Sequence, residues 1–204
     1  MKAFFCILLV IIMTLFVSCN NIDPNTSQNT TTASTSAASG ESNEIPDYID
    51  ADALANRSYE LRYLIAAKKF DSPADLSVNA LVQFAFCHLY YENLIDMPTS
   101  GNKLREASAD DIKLELLKQF GSVDVDITAA DLYNSGKKKF EMWEPHYGTE
   151  IFYDVSVVAD SDNCYKAVTD FYTDSSKSER KGKTVLTVKD IGGKVFIQKL
   201  SSAG

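Results

Sequence analysis

Apolar and polar residues follow two different periods along the chain, and the period changes near Gly136. Between residues 50 and 136, apolar positions recur every three to four residues, which predicts amphipathic helices. After Gly136 they alternate with polar positions, which predicts β-strands. Helices followed by hairpin-connected strands predict an α+β domain, in which N-terminal helices pack on a curved antiparallel sheet of four to five strands.

The helical half of the pattern contains three segments with recognisable start signals. Asp50 can cap the first helix, and Ser72 followed by Pro73 can open the second. The third has Ser108 as its cap and Gly121 as its end. The inward face of the second helix is predicted to carry Leu76, Ala80, Phe84, His88, Tyr91 and Ile95.

Five strands are predicted in the second half, and the glycines at 192 and 193 mark a hairpin between the last two. They cover residues 137–143, 149–159, 164–172, 183–190 and 194–200. The closing order of Phe171-Tyr172, a charged loop, a strand, the glycine pair and a final strand resembles the tail of the NTF2-like cone fold. It is also similar to the cystatin-like arrangement, in which a curved sheet wraps a helix. The resemblance covers residues 72–200, and for an enzyme of the cone fold it implies a cavity lined by acid and base groups.

A longer apolar run precedes the domain. Residues 4–17 are apolar except for Thr14, and they follow a start that carries one positive charge, on Lys2. As a helix this run would be about 21 Å long, which is shorter than the hydrocarbon core of a bilayer at about 30 Å. A secretory signal peptide fits this length and charge better than a membrane-spanning helix does.

The apolar run ends at Phe16-Val17-Ser18-Cys19, which resembles the lipobox of bacterial lipoproteins. In that family a Leu and two small residues usually precede the cysteine, so Phe16 departs from the pattern. The resemblance implies that residues 1–18 are a signal peptide. It also implies that the sulfur of Cys19 carries a diacylglycerol, often with a further acyl chain such as palmitate on the amine. The alternatives are a chance cysteine after an ordinary signal peptide and an uncleaved anchor. The lipoprotein interpretation places the protein at the extracytoplasmic face of the cell membrane, held there by its lipid.

Residues 19–46 are predicted to form the lipidated cysteine and a disordered tether. Apart from Cys19, the segment is rich in Ser, Thr and Asn and contains few apolar residues larger than alanine. Such a composition cannot bury enough surface to offset the entropy that ordering would cost. The folded part is predicted as a single α+β domain over residues 47–204.

The charge of the chain limits its partners. The sequence of 204 residues has a formal net charge of -8 at pH 7. An acidic protein repels nucleic-acid phosphates and gains nothing from anionic lipid head groups. No nucleic-acid partner is therefore expected, and membrane attachment must come from the lipid anchor. No Cys and His pattern with metal-ligand spacing occurs, so neither a metal nor a cofactor is predicted.

The stretch FEMWEPHYG, residues 140–148, is the first candidate for a ligand site. Trp143, His146 and Tyr147 bring two aromatic rings and a near-neutral titrating side chain to the end of a strand and a turn. Aromatic faces near carboxylates suit sugar rings or cationic ligands. The alternative is that the two rings cover the edge of the sheet and that the turn binds nothing.

Two further features leave alternatives open. His88 lies on the apolar face of the second helix, where it serves either as a hydrogen-bonded core histidine or as a general base. Cys87 and Cys164 are either joined by a disulfide or separate thiols.

No catalytic residue is assigned. The predicted function is a membrane-anchored lipoprotein with a non-catalytic binding or adaptor domain, whose partner is an envelope protein, a glycan or a small ligand. The alternative is an NTF2-like cavity enzyme that uses His88 or Asp154.

Overall fold

The computed structural model describes residues 44–67, 69–122, 124–146, 150–161 and 163–203. Within these residues the fold is α+β with antiparallel sheets, as predicted. The α-helices are α1 (Ala51–Tyr59), α2 (Val78–Tyr91) and α3 (Ala109–Phe120). The strands are β1 (Leu104–Ser108), β2 (Tyr133–Asn134), β3 (Lys139–Trp143), β4 (Phe152–Ala159), β5 (Cys164–Tyr172), β6 (Arg180–Asp190) and β7 (Val195–Ala203). Cys19 and residues 20–43 of the predicted tether lie outside the described residues.

α1 begins where the sequence predicts. The side chain of Asp50 caps it by accepting hydrogen bonds from two backbone N–H groups of the first turn. The helix then continues as a π-helix over Glu60–Leu64, and the N–H of Ile65 closes the wider turn on the carbonyl of Glu60. Short π-helical segments frequently mark functional sites. Here the segment begins with a fully buried glutamate.

α2 begins later than the pattern predicts. Ser72 does cap a turn, but that turn is a short 3₁₀-helix, Pro73–Asp75. The chain then becomes extended at Leu76, and Ser77 caps α2 by accepting from a backbone N–H of its first turn. The predicted start at residue 73 is therefore wrong, because a second serine cap follows the first and only the second leads into the long helix.

α2 is buried on most of its surface. Its buried side chains are Leu81, Val82, Phe84, Ala85, Phe86, Cys87, His88 and Leu89. A helix that is apolar on all sides belongs either in a core or in a membrane. Of the described helices, none combines the length and the apolar character needed to cross a bilayer. Cys87 is thus a core thiol, and the structure does not join it to Cys164 by a disulfide.

α3 and both of its ends agree with the prediction. Ser108 accepts a hydrogen bond from the backbone N–H of Asp111 and begins the helix, and Gly121 ends it with a φ of 80°. Glycine takes this φ at low cost, whereas a residue with a side chain does not. A Cβ at this position would also lie 3.2 Å from a ring carbon of Phe196. Both the backbone and the contact therefore favour glycine here.

The larger sheet is an antiparallel meander of four strands in the order β4-β5-β6-β7. Burial alternates along β5 and β6, so one face is covered and the other is partly exposed. α1 packs across β4, β5 and β6, and α3 packs on β7. The covered face holds Tyr165, Ala167, Thr169, Phe171, Thr184, Leu186 and Val188. An isolated pairing of Phe70 with Leu200 ties the helical half of the chain to the last strand.

β3 belongs to a second, smaller sheet. The alternating pattern predicts a strand at residues 137–143, and the structure places β3 there but pairs it with β1 and β2, in the order β1-β3-β2. β1 was not predicted, because it is short and its last residue, Ser108, is also the cap of α3. The pairing sets Leu104 opposite Trp143 and Arg105 opposite Met142. It thereby brings the end of β3 close to Arg105.

Residues just before α1 belong to the packed domain. Ile49 is buried, and Ile45 packs against the same core. Between them, the Tyr48 hydroxyl donates a hydrogen bond to Oδ2 of Asp190 at 2.5 Å. The packing therefore extends two residues upstream of the boundary that composition alone suggests.

Shortening the chain tests these contacts. A chain that begins at Glu44 is expected to be more stable than one that begins at Asp50 by about 1–3 kcal/mol, because the shorter chain loses the burial of at least one isoleucine side chain. Thermal unfolding of the two chains measures the difference. Equal melting temperatures would mean that residues 44–49 add nothing to the core.

Candidate functional site

Two carboxylates and a histidine meet in the core. Glu60, His88 and Glu115 come from the π-helix, α2 and α3, and their relative exposures are 0%, 2% and 1%. Nδ1 of His88 lies 2.9 Å from Oε2 and 3.3 Å from Oε1 of Glu60. On the other side of the ring, Nε2 lies 3.7 Å from Oε1 of Glu115. Each nitrogen of one imidazole therefore faces a buried carboxylate.

A chain of hydrogen bonds connects Glu115 to the surface. Gln119 donates from Nε2 to Oε1 of Glu115 at 2.7 Å and accepts at its own Oε1 from Nε of Arg57 at 2.6 Å. Arg57 and Gln119 line a cavity of about 190 Å³ between α1, α3 and the strands β6 and β7. One amide and one guanidinium therefore link the buried cluster to this cavity.

Neighbouring side chains fix the ring of His88. Phe84, one turn earlier on α2, stacks on the imidazole with ring centroids 5.8 Å apart and planes 8° apart. Phe120, at the end of α3, packs edge-on against Phe84 at 5.3 Å. These two contacts hold the imidazole in the plane in which it meets both carboxylates.

The thiol next to His88 is buried and has a raised pKa. Burial, with a smaller contribution from the charge of Glu60, raises the pKa of Cys87 to about 12. The thiol is therefore protonated at neutral pH, and the thiolate is the form that reacts. His88 itself has almost no exposed surface, so a substrate cannot touch it in this conformation. It is a hydrogen-bonded core histidine, the first of the two alternatives open from the sequence.

A larger cavity lies at the C-terminal end of α2. Its volume is about 400 Å³, which is within the range of ligand pockets. α2 supplies two tyrosines, the loop after it supplies four residues, and β1 supplies an arginine. The lining consists of Tyr90, Tyr91, Asn93, Ile95, Asp96, Met97 and Arg105. It combines aromatic faces with amide, carboxylate and guanidinium groups.

Arg105 is held in place from three directions. Nη2 lies 3.1 Å from Oε2 of Glu144, and Nη1 donates to the carbonyl of Met97 at 3.2 Å. The guanidinium also lies 5.5 Å from the centre of the Tyr90 ring. The hydroxyl of Tyr90 in turn donates a hydrogen bond to Glu144. Hydrogen bonds from Tyr90 and then from Arg105 hold the pKa of Glu144 below its usual value. An ionised Glu144 thus orders two lining side chains.

Of the three residues that the sequence suggests for ligand contact, the structure describes two, Trp143 and His146. Trp143, at the end of β3, is 67% exposed and is not part of the cavity lining. His146 is exposed, and it lies close enough to Glu144 for its charge to help lower the pKa of that carboxyl. Tyr147 lies outside the described residues. Ligand contact by these residues stays a prediction. The lining of the neighbouring cavity was not predicted from the sequence.

The sequence did carry a weak signal for the cavity. Two adjacent tyrosines, Tyr90 and Tyr91, end an apolar helix and are followed at once by polar loop residues.

Asp154, the other acid or base of the enzyme alternative, lies away from this cavity's lining. It lies on the exposed face of β4 and pairs with Lys177. It therefore does not line an interior cavity in this structure.

Comparison with known proteins gives no family for this chain, because no family model, no curated protein and no solved structure matches it.

Proposed function

We propose that the protein is a lipid-anchored extracytoplasmic lipoprotein whose α+β domain binds a small, neutral, hydroxyl-rich ligand, such as a sugar ring of an envelope glycan. One observation carries the binding proposal. It is the cavity of about 400 Å³ whose tyrosine and arginine side chains are ordered by Glu144. No histidine or cysteine is among the described residues that line it, which favours binding over catalysis.

Features of the sequence support the anchor. The apolar run over residues 4–17 ends at Phe16-Val17-Ser18-Cys19, the pattern that resembles a lipobox. The tether that follows lets the domain stand away from the membrane, since about 25 residues of flexible chain have a root-mean-square length of roughly 30 Å. A net charge of -8 gives no attraction to anionic lipids, so the lipid carries the attachment alone.

The lining favours a neutral ligand that carries hydroxyl groups. The rings of Tyr90 and Tyr91 offer apolar surface, and Asn93 offers both donors and acceptors. Arg105 is already ion-paired with Glu144, and Asp96 adds a negative charge to the lining. A phosphate or carboxylate ligand would have to compete for that guanidinium, so an anion is the poorer fit.

We further propose that the fold is related to the NTF2-like or cystatin-like arrangement. Its support is the order of elements, in which helices precede an antiparallel meander. α1 and α3 also pack on that sheet, as a helix wrapped by a sheet requires.

An envelope enzyme is the second candidate function. One observation favours it, namely the two buried carboxylates that flank the imidazole of His88. Histidine is the commonest general acid or base, and a carboxylate on one ring nitrogen can orient the imidazole. The core would have to open before a substrate could reach His88, so we place this candidate after ligand binding.

Fluorescence of Trp143 provides a binding assay. It is the only tryptophan of the chain, and it is exposed one residue before Glu144. Titrating the full-length chain with soluble cell-wall glycan fragments is expected to change its emission, and calorimetry gives the affinity independently. Tyr90→Ala and Arg105→Ala are each expected to weaken binding roughly thirtyfold, which corresponds to about 2 kcal/mol for a central contact.

Tyr172→Ala is the matched control, because Tyr172 lies on β5 and is not part of the lining. It is expected to bind like the wild type. Trp143→Ala and His146→Ala, measured by calorimetry, test contact at the end of β3. Undiminished binding by the Tyr90 and Arg105 variants, at unchanged melting temperature, would contradict the cavity proposal.

A further inference from the structure

The core cluster offers a site of a different kind. We propose that Glu60, His88 and Glu92 bind a divalent transition-metal ion, for which Zn²⁺ is the best match. One carboxylate oxygen from each glutamate and a ring nitrogen of His88 all lie within 4.8 Å of one another. None of the three lines the cavity of the proposed function, so the metal site stands apart from it.

The distances between two of the three ligand groups, His88 and Glu60, already suit coordination. Two atoms bound to one ion at about 2.1 Å, at angles of about 90° to 109°, lie roughly 3.0–3.4 Å apart. Nδ1 of His88 lies 2.9 Å and 3.3 Å from the two oxygens of Glu60. An ion can therefore replace the proton between the two groups with little movement of either side chain. The displaced proton leaves to solvent.

Glu92 supplies the third ligand and a route from solvent. It follows His88 by four residues and caps the C-terminal end of α2, so the two side chains lie on one face of the helix. Glu92 is exposed, whereas Glu60 and His88 are buried. An ion can enter at the exposed carboxylate and be held by the buried groups. Three protein ligands leave a further position for water.

The opposite side of the His88 ring provides an independent observation. Metal-binding histidines usually direct their second nitrogen to a carboxylate, carbonyl or water, which fixes the tautomer and the orientation of the ring. Nε2 of His88 faces the buried Glu115 at 3.7 Å, and a hydrogen bond from Gln119 holds that carboxylate in place. Glu115 in this position orients Nδ1 towards Glu60.

The charge of the cluster also favours a cation. Glu60 and Glu115 are both almost inaccessible to solvent, so the negative charge of each is costly to bury. Oε2 of Glu115 is buried and has no hydrogen-bond partner among the described residues, and its ion pair with Lys118 is long, at 3.8 Å. A divalent ion bound by a neutral His88, Glu60 and Glu92 offsets the charges of its two carboxylate ligands.

The ligand set selects among metal ions. Ca²⁺ and Mg²⁺ prefer oxygen ligands, whereas an imidazole with carboxylates suits Zn²⁺ and related ions. The sequence alone predicted no metal, because the two glutamates and the histidine have no motif spacing in common beyond the four residues from His88 to Glu92.

Zinc binding by the full-length chain tests the proposal. The chain is purified in detergent without a polyhistidine tag, stripped with EDTA and titrated by calorimetry with Zn²⁺ and, separately, with Mg²⁺. One saturable Zn²⁺ site per chain is expected, with a higher melting temperature in Zn²⁺ and no comparable effect of Mg²⁺. Glu92→Gln changes an exposed residue, so it is expected to fold normally and to weaken Zn²⁺ binding roughly tenfold or more.

Glu150→Gln is the matched control, because Glu150 is also an exposed glutamate and belongs to neither proposed site. The histidine ligand is measured directly by ¹⁵N NMR. The chain has two histidines, so the His146→Gln variant leaves His88 as the only imidazole. Zn²⁺ is expected to shift its Nδ1 resonance and to leave Nε2 protonated. Any of three results overturns the proposal. These are no saturable Zn²⁺ binding, equal Zn²⁺ affinities of the Glu92→Gln and Glu150→Gln variants, or an Nδ1 resonance of His88 that does not respond to Zn²⁺.

Discussion

Replacing His88 with leucine is expected to lower the free energy of unfolding of the metal-free protein by about 3–5 kcal/mol. Leucine keeps apolar bulk on α2 but removes both ring nitrogens. Glu60 then loses its contact with Nδ1 at 2.9 Å, and Glu115 loses its contact with Nε2 of the same ring at 3.7 Å. Both carboxylates are buried, so water does not replace the lost contacts. Urea unfolding followed by circular dichroism measures the change.

His146→Leu is the matched control, because His146 is exposed and its loss is expected to change stability by only about 0.5 kcal/mol. A second variant, His88→Leu with Glu60→Gln, is expected to recover part of the loss, since an amide is less costly to bury than a carboxylate. If His88→Leu costs less than about 1 kcal/mol, or if the two substitutions simply add, Glu60 and His88 are not a coupled pair.

Replacing Cys19 with serine is expected to abolish lipid labelling of the protein. In the proposed lipoprotein the cysteine sulfur forms the thioether to the diacylglycerol, and serine has no thiol. Each buried methylene of an acyl chain contributes about 0.8 kcal/mol to membrane affinity, so losing two or three chains removes the anchor. Labelled palmitate fed to cells, and mass spectrometry of the N-terminal peptide, measure the change. The variant is also expected to keep residues 1–18.

Cys6→Ser provides the control for this experiment. Cys6 is the other cysteine of the N-terminal segment and lies inside the apolar run of the predicted signal peptide. Its variant is expected to be labelled and cut like the wild type. Acyl mass on the N-terminal peptide of the Cys19→Ser protein would rule out Cys19 as the attachment point.

Elements defined by local signals could be predicted from the sequence. Alternation over residues 164–172 predicted β5 over the same residues, because successive side chains of a strand point to opposite faces. Ser108 and Gly121 marked the ends of α3, because they satisfy or release its terminal backbone groups. The start of α2 was different. Ser72 and Ser77 both offer caps, and the choice between them depends on packing that the local sequence does not contain.

The candidate sites depend on contacts between distant parts of the chain. Arg105 lies near Glu144 because β1 pairs with β3, and β1 was not predicted. Glu60 meets His88, 28 positions later, because the π-helix packs on α2. In the sequence Glu60 and Glu115 look like residues of polar helix faces. Only the packing of three helices turns both carboxylates inward, so periodicity could not find the cluster.

The strand order of the larger sheet affects how the chain folds while it is being made. Each strand of β4-β5-β6-β7 pairs with its neighbour in sequence, so the sheet forms by closing short loops at small entropic cost. The helices that pack on this sheet precede it, and Phe70 pairs with Leu200 near the C-terminus. During synthesis the apolar faces of α1 and α3 therefore leave the ribosome before the surface that covers them exists. A chain that stops short of β7 keeps part of those faces open to aggregation.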